Sequence, residues 1–142
     1  MANITFQNED VHFILPDKTK IKKWIEKIIL QENSKKHIQI SFIFCSDSFL
    51  HQINKTYLQH DSLTDIITFN YSEDEDTVES DIFISIDRVG ENSKLFKTPF
   101  IAELQRVMIH GVLHLLGFKD KTKDQREKMR EKENECLTLY HG

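Results

Sequence analysis

The sequence has few cysteines, no recognisable secretory leader and no apolar run of membrane length. Cys45 and Cys136 each lie within an apolar pattern and form no CxxC pair, so we expect free core thiols in a reducing compartment, not metal ligands. Residues 1–10 contain neither a basic segment nor an apolar run, and a bilayer-spanning helix needs about 20 apolar residues. The sequence therefore predicts a cytoplasmic protein with no membrane partner.

An overall positive charge is also lacking. The formal net charge is −4, which gives no general attraction to nucleic acid. The charges are nevertheless clustered: basic residues concentrate in 18–27 and 119–130, and acidic residues in 73–81. Such clusters usually form solvated faces, but two basic helices beside a cleft are also compatible with a polyanion. At 142 residues, with 39% hydrophobic and 30% charged residues, the chain fits one globular domain over 1–142.

The periodicity of apolar residues divides the chain into helices and strands. Helical spacing covers 21–29, 49–57, 89–96, 100–116 and 129–140, while β-prone stretches cover 3–6, 11–15, 37–45, 64–69 and 81–86. We expect a single opening strand near the start and a hairpin-like pair on either side of the acidic loop 72–80. Helix N-caps are expected at Ser46 or Asp47, at Thr98 before Pro99, and in a capping box of Thr122 and Gln125. The order predicts an α+β fold: a small mixed sheet of about four strands covered by helices, with the helix 100–116 buried.

That buried helix carries two histidines, His110 and His114, one turn apart. Side chains at i and i+4 project from one helix face, so both imidazoles can reach a single ion. Burying them among leucine, valine and isoleucine costs a few kcal/mol unless each ring nitrogen finds a partner, and a metal ion supplies one. The pair therefore predicts a metal site.

A third ligand is expected just beyond the helix. Gly117 can adopt the left-handed backbone that ends a helix, and the reversed chain would bring Asp120 back toward the two imidazoles. Asp124 and His141 are the nearest substitutes, and Asp120 could instead cap the last helix. Three protein ligands with an open position are typical of a catalytic zinc centre. Proteases with a related motif need glutamate directly after the first histidine; Gly111 stands there, which disfavours proteolysis.

Three further residues are candidates for catalysis. Asp65 precedes the apolar strand 66–69, where its carboxylate could act as a base at the edge of a cleft, although a turn residue is an equal alternative. Glu103 falls on the same helix face as the two histidines and could orient one of them, or it could simply favour the first turns of the helix. Arg106 is a weaker candidate, on the same helix.

Three segments resemble one known family. His110-Gly111-x-Leu113-His114-Leu115-x-Gly117-Phe118, the strand Thr64-Asp65-Ile66-Ile67-Thr68-Phe69 and Ser80-Asp81-Ile82 resemble, in order and spacing, the motifs of the YbeY family of bacterial rRNA maturation factors. The resemblance implies a zincin-like α+β fold, one Zn²⁺ ion and a single-strand-specific endoribonuclease. Its implied role is rRNA maturation, at the 16S 3′ end, and ribosome quality control. The implied partners are single-stranded rRNA and the small ribosomal subunit or its proteins, with no dinucleotide cofactor.

The chain departs from the family pattern at two positions. The third ligand of the family is usually histidine, where this sequence has Asp120, and a carboxylate would tolerate Mn²⁺ or Fe²⁺ more readily. The family has an arginine where this sequence has Leu58, so Lys55, His60 or Arg106 would have to contact phosphate instead. Two other functions therefore stay open: a ribosome-assembly binding factor with a structural or vestigial zinc, and a metal hydrolase of another ester or amide.

Overall fold

The computed structural model describes residues 2–33, 37–58 and 64–142. Within these ranges the chain forms four strands, β1 (Ala2–Asn8), β2 (His37–Cys45), β3 (Ile66–Asn70) and β4 (Thr77–Ser85). The same ranges hold five helices, α1 (Lys18–Asn33), α2 (Asp47–Leu58), α3 (Ile86–Phe96), α4 (Phe100–Leu115) and α5 (Lys123–His141). The predicted polar connection 59–63, with His60, lies outside the described residues. The predicted α+β fold is confirmed.

The four strands form one mixed sheet in the order β1-β2-β4-β3. Strands β1, β2 and β4 run parallel, with Ile4 opposite Ile40 and Ile40 opposite Ser80. Strand β3 runs antiparallel to β4, with Ile67 opposite Phe83, so the predicted hairpin-like pair is confirmed. β2 is a central strand, and its burial along both faces fits a strand covered by helices.

The stretch 11–15 is not a strand, although its composition is β-prone. The chain here is bound to the core by side chains. Asp10 accepts hydrogen bonds from the backbone N–H and the hydroxyl of Ser46, and Phe13 packs edge-on against Phe44. Leu15 is buried and Val11 and Phe13 pack partly against the core, while Ile14 is exposed, so this irregular backbone is held by a few side-chain contacts that outweigh local β-propensity.

Helix α4 is the buried helix that the sequence predicts. It packs against β3, β4, α1, α3 and α5, and its buried residues lie on nearly every side. The helix begins at Phe100 as predicted, but its N-cap is Pro99 and not Thr98, and it makes no side-chain capping bond. At the other end Gly117 has φ of +101° and the Phe118 N–H donates to the Leu113 carbonyl, which closes the helix and reverses the chain as expected.

Helix α5 fixes the position of α4 from one side. It begins with the predicted capping box of Thr122 and Gln125. Its inner face is tied to α1, where the Trp24 indole N–H donates to the Cys136 carbonyl at 2.7 Å.

Cys45 and Cys136 are buried and unpaired with each other, as expected, and burial raises the pKa of their thiols to about 12 and about 11. Among the described residues, no helix combines the length and apolarity needed to cross a membrane.

Candidate metal centre

Three potential ligands meet where α4 ends. The Nε2 atoms of His110 and His114 lie 3.1 Å apart. The Asp120 Oδ2 atom lies 3.2 Å from the first and 3.3 Å from the second. All three side chains are partly accessible, with exposed fractions of 24%, 33% and 37%. The glycine turn at Gly117 thus delivers Asp120 to the histidine pair, as the spacing predicted.

This triangle has the dimensions of one face of a coordination tetrahedron. Tetrahedral zinc, with bonds of about 2.0–2.1 Å to nitrogen and oxygen, places its ligand atoms roughly 3.3 Å apart. The three measured separations, 3.1, 3.2 and 3.3 Å, come close to that value. Two imidazole nitrogens and a carboxylate oxygen also suit Mn²⁺ and Fe²⁺. The residues therefore fit a divalent metal ion with a coordination position left for substrate or water, and the fit does not distinguish zinc from these other ions.

A carboxylate on α5 orients the first histidine. The Glu133 Oε2 atom lies 2.7 Å from His110 Nδ1, and its Oε1 atom lies 2.8 Å from an Arg106 guanidinium nitrogen. Burial alone would raise the pKa of Glu133, but the bonds from His110 and Arg106 lower it. Because an ionised carboxylate can only accept, His110 must donate its Nδ1–H. Its Nε2 atom is then left to face His114 and Asp120 as a ligand.

Glu133 is the site residue that sequence reasoning missed. It is only 5% exposed, and it shares the inner face of α5 with Met129, Cys136 and Tyr140. Glu133 could have been recognised in the sequence as a single acidic residue in an otherwise apolar stripe at helical spacing. A carboxylate buried in this way needs a charged or hydrogen-bonding partner.

Arg106 and Glu103 line one space together with His110, and their catalytic roles stay predictions. Arg106 is bound on both sides, by Glu133 and by the Asn134 amide oxygen at 2.8 Å, so it holds the carboxylate that orients His110. Glu103 is buried, and burial raises its pKa while Arg106 partly offsets the effect. The carboxylate that bonds to His110 Nδ1 is that of Glu133.

Asp65 lies at the entrance of β3, beside the three candidate ligands. It lines the same cleft as His110, His114 and Asp120, and its carbonyl accepts the Ser85 N–H, which fixes the backbone. Burial raises the pKa of the Asp65 carboxyl, and the nearby His110 opposes this effect. A carboxylate with a raised pKa in a cleft has the properties of a general base.

The cleft beside these ligands has a volume of about 490 Å³ and runs between α2, β3 and the end of α4. Leu58 lines it from α2, with 41% of its surface exposed. Position 58, where the resemblance implies an arginine, therefore lines the cleft with an aliphatic side chain. Of the three basic residues expected to compensate, Arg106 is engaged by Glu133, Lys55 is exposed on α2, and His60 lies outside the described residues.

Gly111 packs against the sheet. A Cβ atom at this position would lie 2.8 Å from Ile66 Cδ1 and 3.4 Å from two atoms of Ile82. The close contact explains why glycine occupies a helix interior, where it is otherwise unfavourable. A glutamate at Gly111, as zinc proteases have, would crowd the Ile66 and Ile82 side chains of β3 and β4.

The fold and the site together define the class of the protein. It is an α+β protein with a buried helix that presents two histidines, a loop carboxylate able to complete a metal centre, and an open cleft beside them.

Comparison with known proteins gives the family. The family model described as Endoribonuclease YbeY matches residues 3–141. A protein named Endoribonuclease YbeY from Amoebophilus asiaticus is 51% identical over 133 residues, covering 94% of this chain and 90% of that protein. A protein of the same name from Christiangramia forsetii is 50% identical over 141 residues, covering 99% of this chain and 96% of that protein. The chain belongs to the YbeY family, which confirms the resemblance of its motifs.

A solved structure supports the fold assignment. The solution structure of a Thermotoga maritima protein is similar to this one with a TM-score of 0.62 and 26% sequence identity. The similarity covers 98% of this chain and 92% of that protein. The arrangement of sheet and helices is thus shared over nearly the whole chain.

Proposed function

We propose that this chain is a single-domain, zinc-dependent endoribonuclease of the cytoplasm that cuts single-stranded rRNA during maturation of the 16S 3′ end and in ribosome quality control. The small ribosomal subunit or its proteins would be its partner. The observation that carries the proposal is the 3.1–3.3 Å triangle of His110, His114 and Asp120 at an open cleft. The names of the relatives in the YbeY family support an RNA substrate.

The roles of the residues follow from their positions. His110, His114 and Asp120 would hold the ion, which when bound supplies Lewis-acid catalysis toward a phosphodiester. Asp65 would take the proton of the attacking nucleophile, either water or the RNA 2′-hydroxyl, because its carboxylate lines the cleft next to the ligands. Glu133 and Arg106 would keep His110 in the orientation that presents Nε2. Glu103 would act next to Arg106, in the wall of the space beside His110.

The proposal is tested by removing and restoring metal. We expect protein treated with a chelator to lose cleavage of a labelled single-stranded RNA and to regain it on addition of equimolar Zn²⁺. A duplex of the same sequence should stay intact. Because Asp120 is a harder ligand than histidine, Mn²⁺ should restore part of the activity. Cleavage that is unaffected by the chelator would contradict a metal-dependent nuclease.

A second function is favoured by Leu58, which leaves the cleft without the family's arginine at this position. In that case the chain would be a ribosome-assembly binding factor with a structural zinc. Binding of one zinc with no RNA cleavage in the same assay would support it. Hydrolysis of another ester or amide is a weaker alternative, and the contact of Gly111 with Ile66 disfavours its protease form.

Leu58→Arg should strengthen RNA binding. The substitution places a guanidinium in the cleft beside His114 and Asp120, where it can contact a phosphate. One additional phosphate contact steepens the dependence of log affinity on log salt by about 0.7 for single-stranded RNA. Fluorescence anisotropy over a salt series measures this slope. Leu30→Arg, at an exposed position on α1 outside the cleft lining, adds the same charge and should change the slope much less; equal slopes would contradict a role for position 58.

A further inference from the structure

A second cavity adjoins the cleft of the metal centre. It has a volume of about 340 Å³ and lies between α3, α4, α5 and the start of β3. Asp65, Ile66 and His110 line both this cavity and the cleft. The two spaces therefore adjoin at the candidate base and the first candidate ligand.

The cavity combines an aromatic ring, an amide, two arginines and three carboxyl groups, and the carboxyl groups of Glu103 and Glu133 lie on the side of Arg106. Phe96, the last residue of α3, lines it while 55% exposed, and Asn92 lies one turn earlier on the same helix. Arg130 lines it from α5 with a side chain that is 60% exposed. Its guanidinium is 3.8 Å from Glu133 Oε1, a longer contact than the 2.8 Å from Arg106 to the same atom. Arg130 is therefore available to a phosphate.

We propose that this cavity receives one unpaired nucleobase next to the scissile phosphodiester, with the base stacked on Phe96 and the adjoining phosphate near Arg130. The inference rests on the proposed ribonuclease function. A cavity of 340 Å³ is at the lower end of ligand pockets, so it suits one base better than a larger ligand. Stacking on an aromatic side chain tolerates any base, because every base has a π-face.

The subsite gives a physical reason for single-strand specificity. A base can enter the cavity only if it has left its stack and its pairing partner, which costs a few kcal/mol in a duplex and much less in a single strand. Sequence-independent stacking on Phe96 would then select unpaired RNA without reading its sequence. Only RNA that is unpaired would then place its phosphodiester at the metal centre.

The test compares Phe96→Ala with wild-type protein loaded with zinc. Affinity for a labelled single-stranded RNA is measured by anisotropy at times before cleavage is detectable. We expect Phe96→Ala to weaken binding by about 5- to 10-fold, the lower part of the range for base–aromatic stacking. Phe96→Tyr keeps the ring and should bind as wild type does. Leu95→Ala removes an exposed neighbour that is 73% accessible and does not line the cavity, and it should have no effect.

Abasic substitution locates the base. In a set of RNAs, each molecule lacks the base of one nucleotide. At one position beside the cleavage site, the missing base should weaken binding to wild-type protein. The same RNA should bind Phe96→Ala as tightly as the intact RNA does, because both changes remove the same contact. Additive losses at every position would overturn the subsite. If wild-type protein binds and cuts single-stranded RNA but Phe96→Ala matches it, only the subsite fails. If wild-type protein neither binds nor cuts, the proposed function fails as well.

Discussion

Replacing His114 with alanine is expected to remove the metal ion and with it RNA cleavage, while the fold stays intact. The variant loses one of three protein ligands, so zinc affinity should fall by more than the roughly 100-fold that outer-sphere changes produce. Loss of Lewis-acid catalysis removes several kcal/mol of transition-state stabilisation, which corresponds to about 10³-fold or more in rate. His114 is preferable to His110 because its side chain is one-third exposed and it does not hold the buried Glu133.

Three measurements on the same preparations check this prediction. Metal content per protein, urea unfolding and cleavage of a single-stranded RNA are compared for wild type, His114→Ala and His12→Ala. His12 is an exposed histidine outside the candidate ligand group, and its variant should behave as wild type in all three. A His114→Ala protein that binds no zinc yet cuts RNA at the wild-type rate would show that this centre is not where the reaction occurs.

Local patterns were enough to predict most of the scaffold and the clustering of the three candidate ligands. Period-2 and period-3.6 apolar spacing identified the strands and helices, because burying one face requires that spacing in either structure. The clustering could be predicted for a similar reason. His110 and His114 are one turn apart by helix geometry, and Gly117 supplies the one backbone conformation that reverses the chain within reach of Asp120.

The environment of the ligands could not be predicted in this way, since it depends on which helices pack together. Glu103, on the same face of α4, was one candidate to orient a histidine, whereas the partner of the His110 Nδ1 atom comes from α5: it is Glu133, 23 residues away in sequence. Similarly, Arg106 was considered for contact with phosphate and instead binds Glu133. Residues 11–15 have β-propensity but lie in irregular backbone, where Val11, Phe13 and Leu15 pack on the core.

Glu133→Gln should therefore weaken metal binding and stability together. Glu133 accepts from two donors, His110 through Oε2 and Arg106 through Oε1. Glutamine has one acceptor oxygen, so its NH₂ group must face one of the two donors in a buried site. We expect the free energy of unfolding to fall by about 2–3 kcal/mol, the cost of a lost charged hydrogen bond in a buried site. Zinc affinity should fall by roughly 10- to 100-fold, because His110 is no longer fixed in orientation.

A double variant distinguishes loss of the His110 orientation from a general loss of stability. In Glu133→Gln with Arg106→Leu, the competing donor is gone, and the glutamine oxygen is free to accept the His110 Nδ1–H. The double variant should therefore bind zinc at least as tightly as Glu133→Gln alone, although it has lost one more polar contact. Glu131→Gln, exposed on the same helix, removes an equal charge and should leave zinc affinity unchanged. If Glu133→Gln has the same zinc affinity as wild type, the packing of α4 sets the orientation of His110 without the carboxylate.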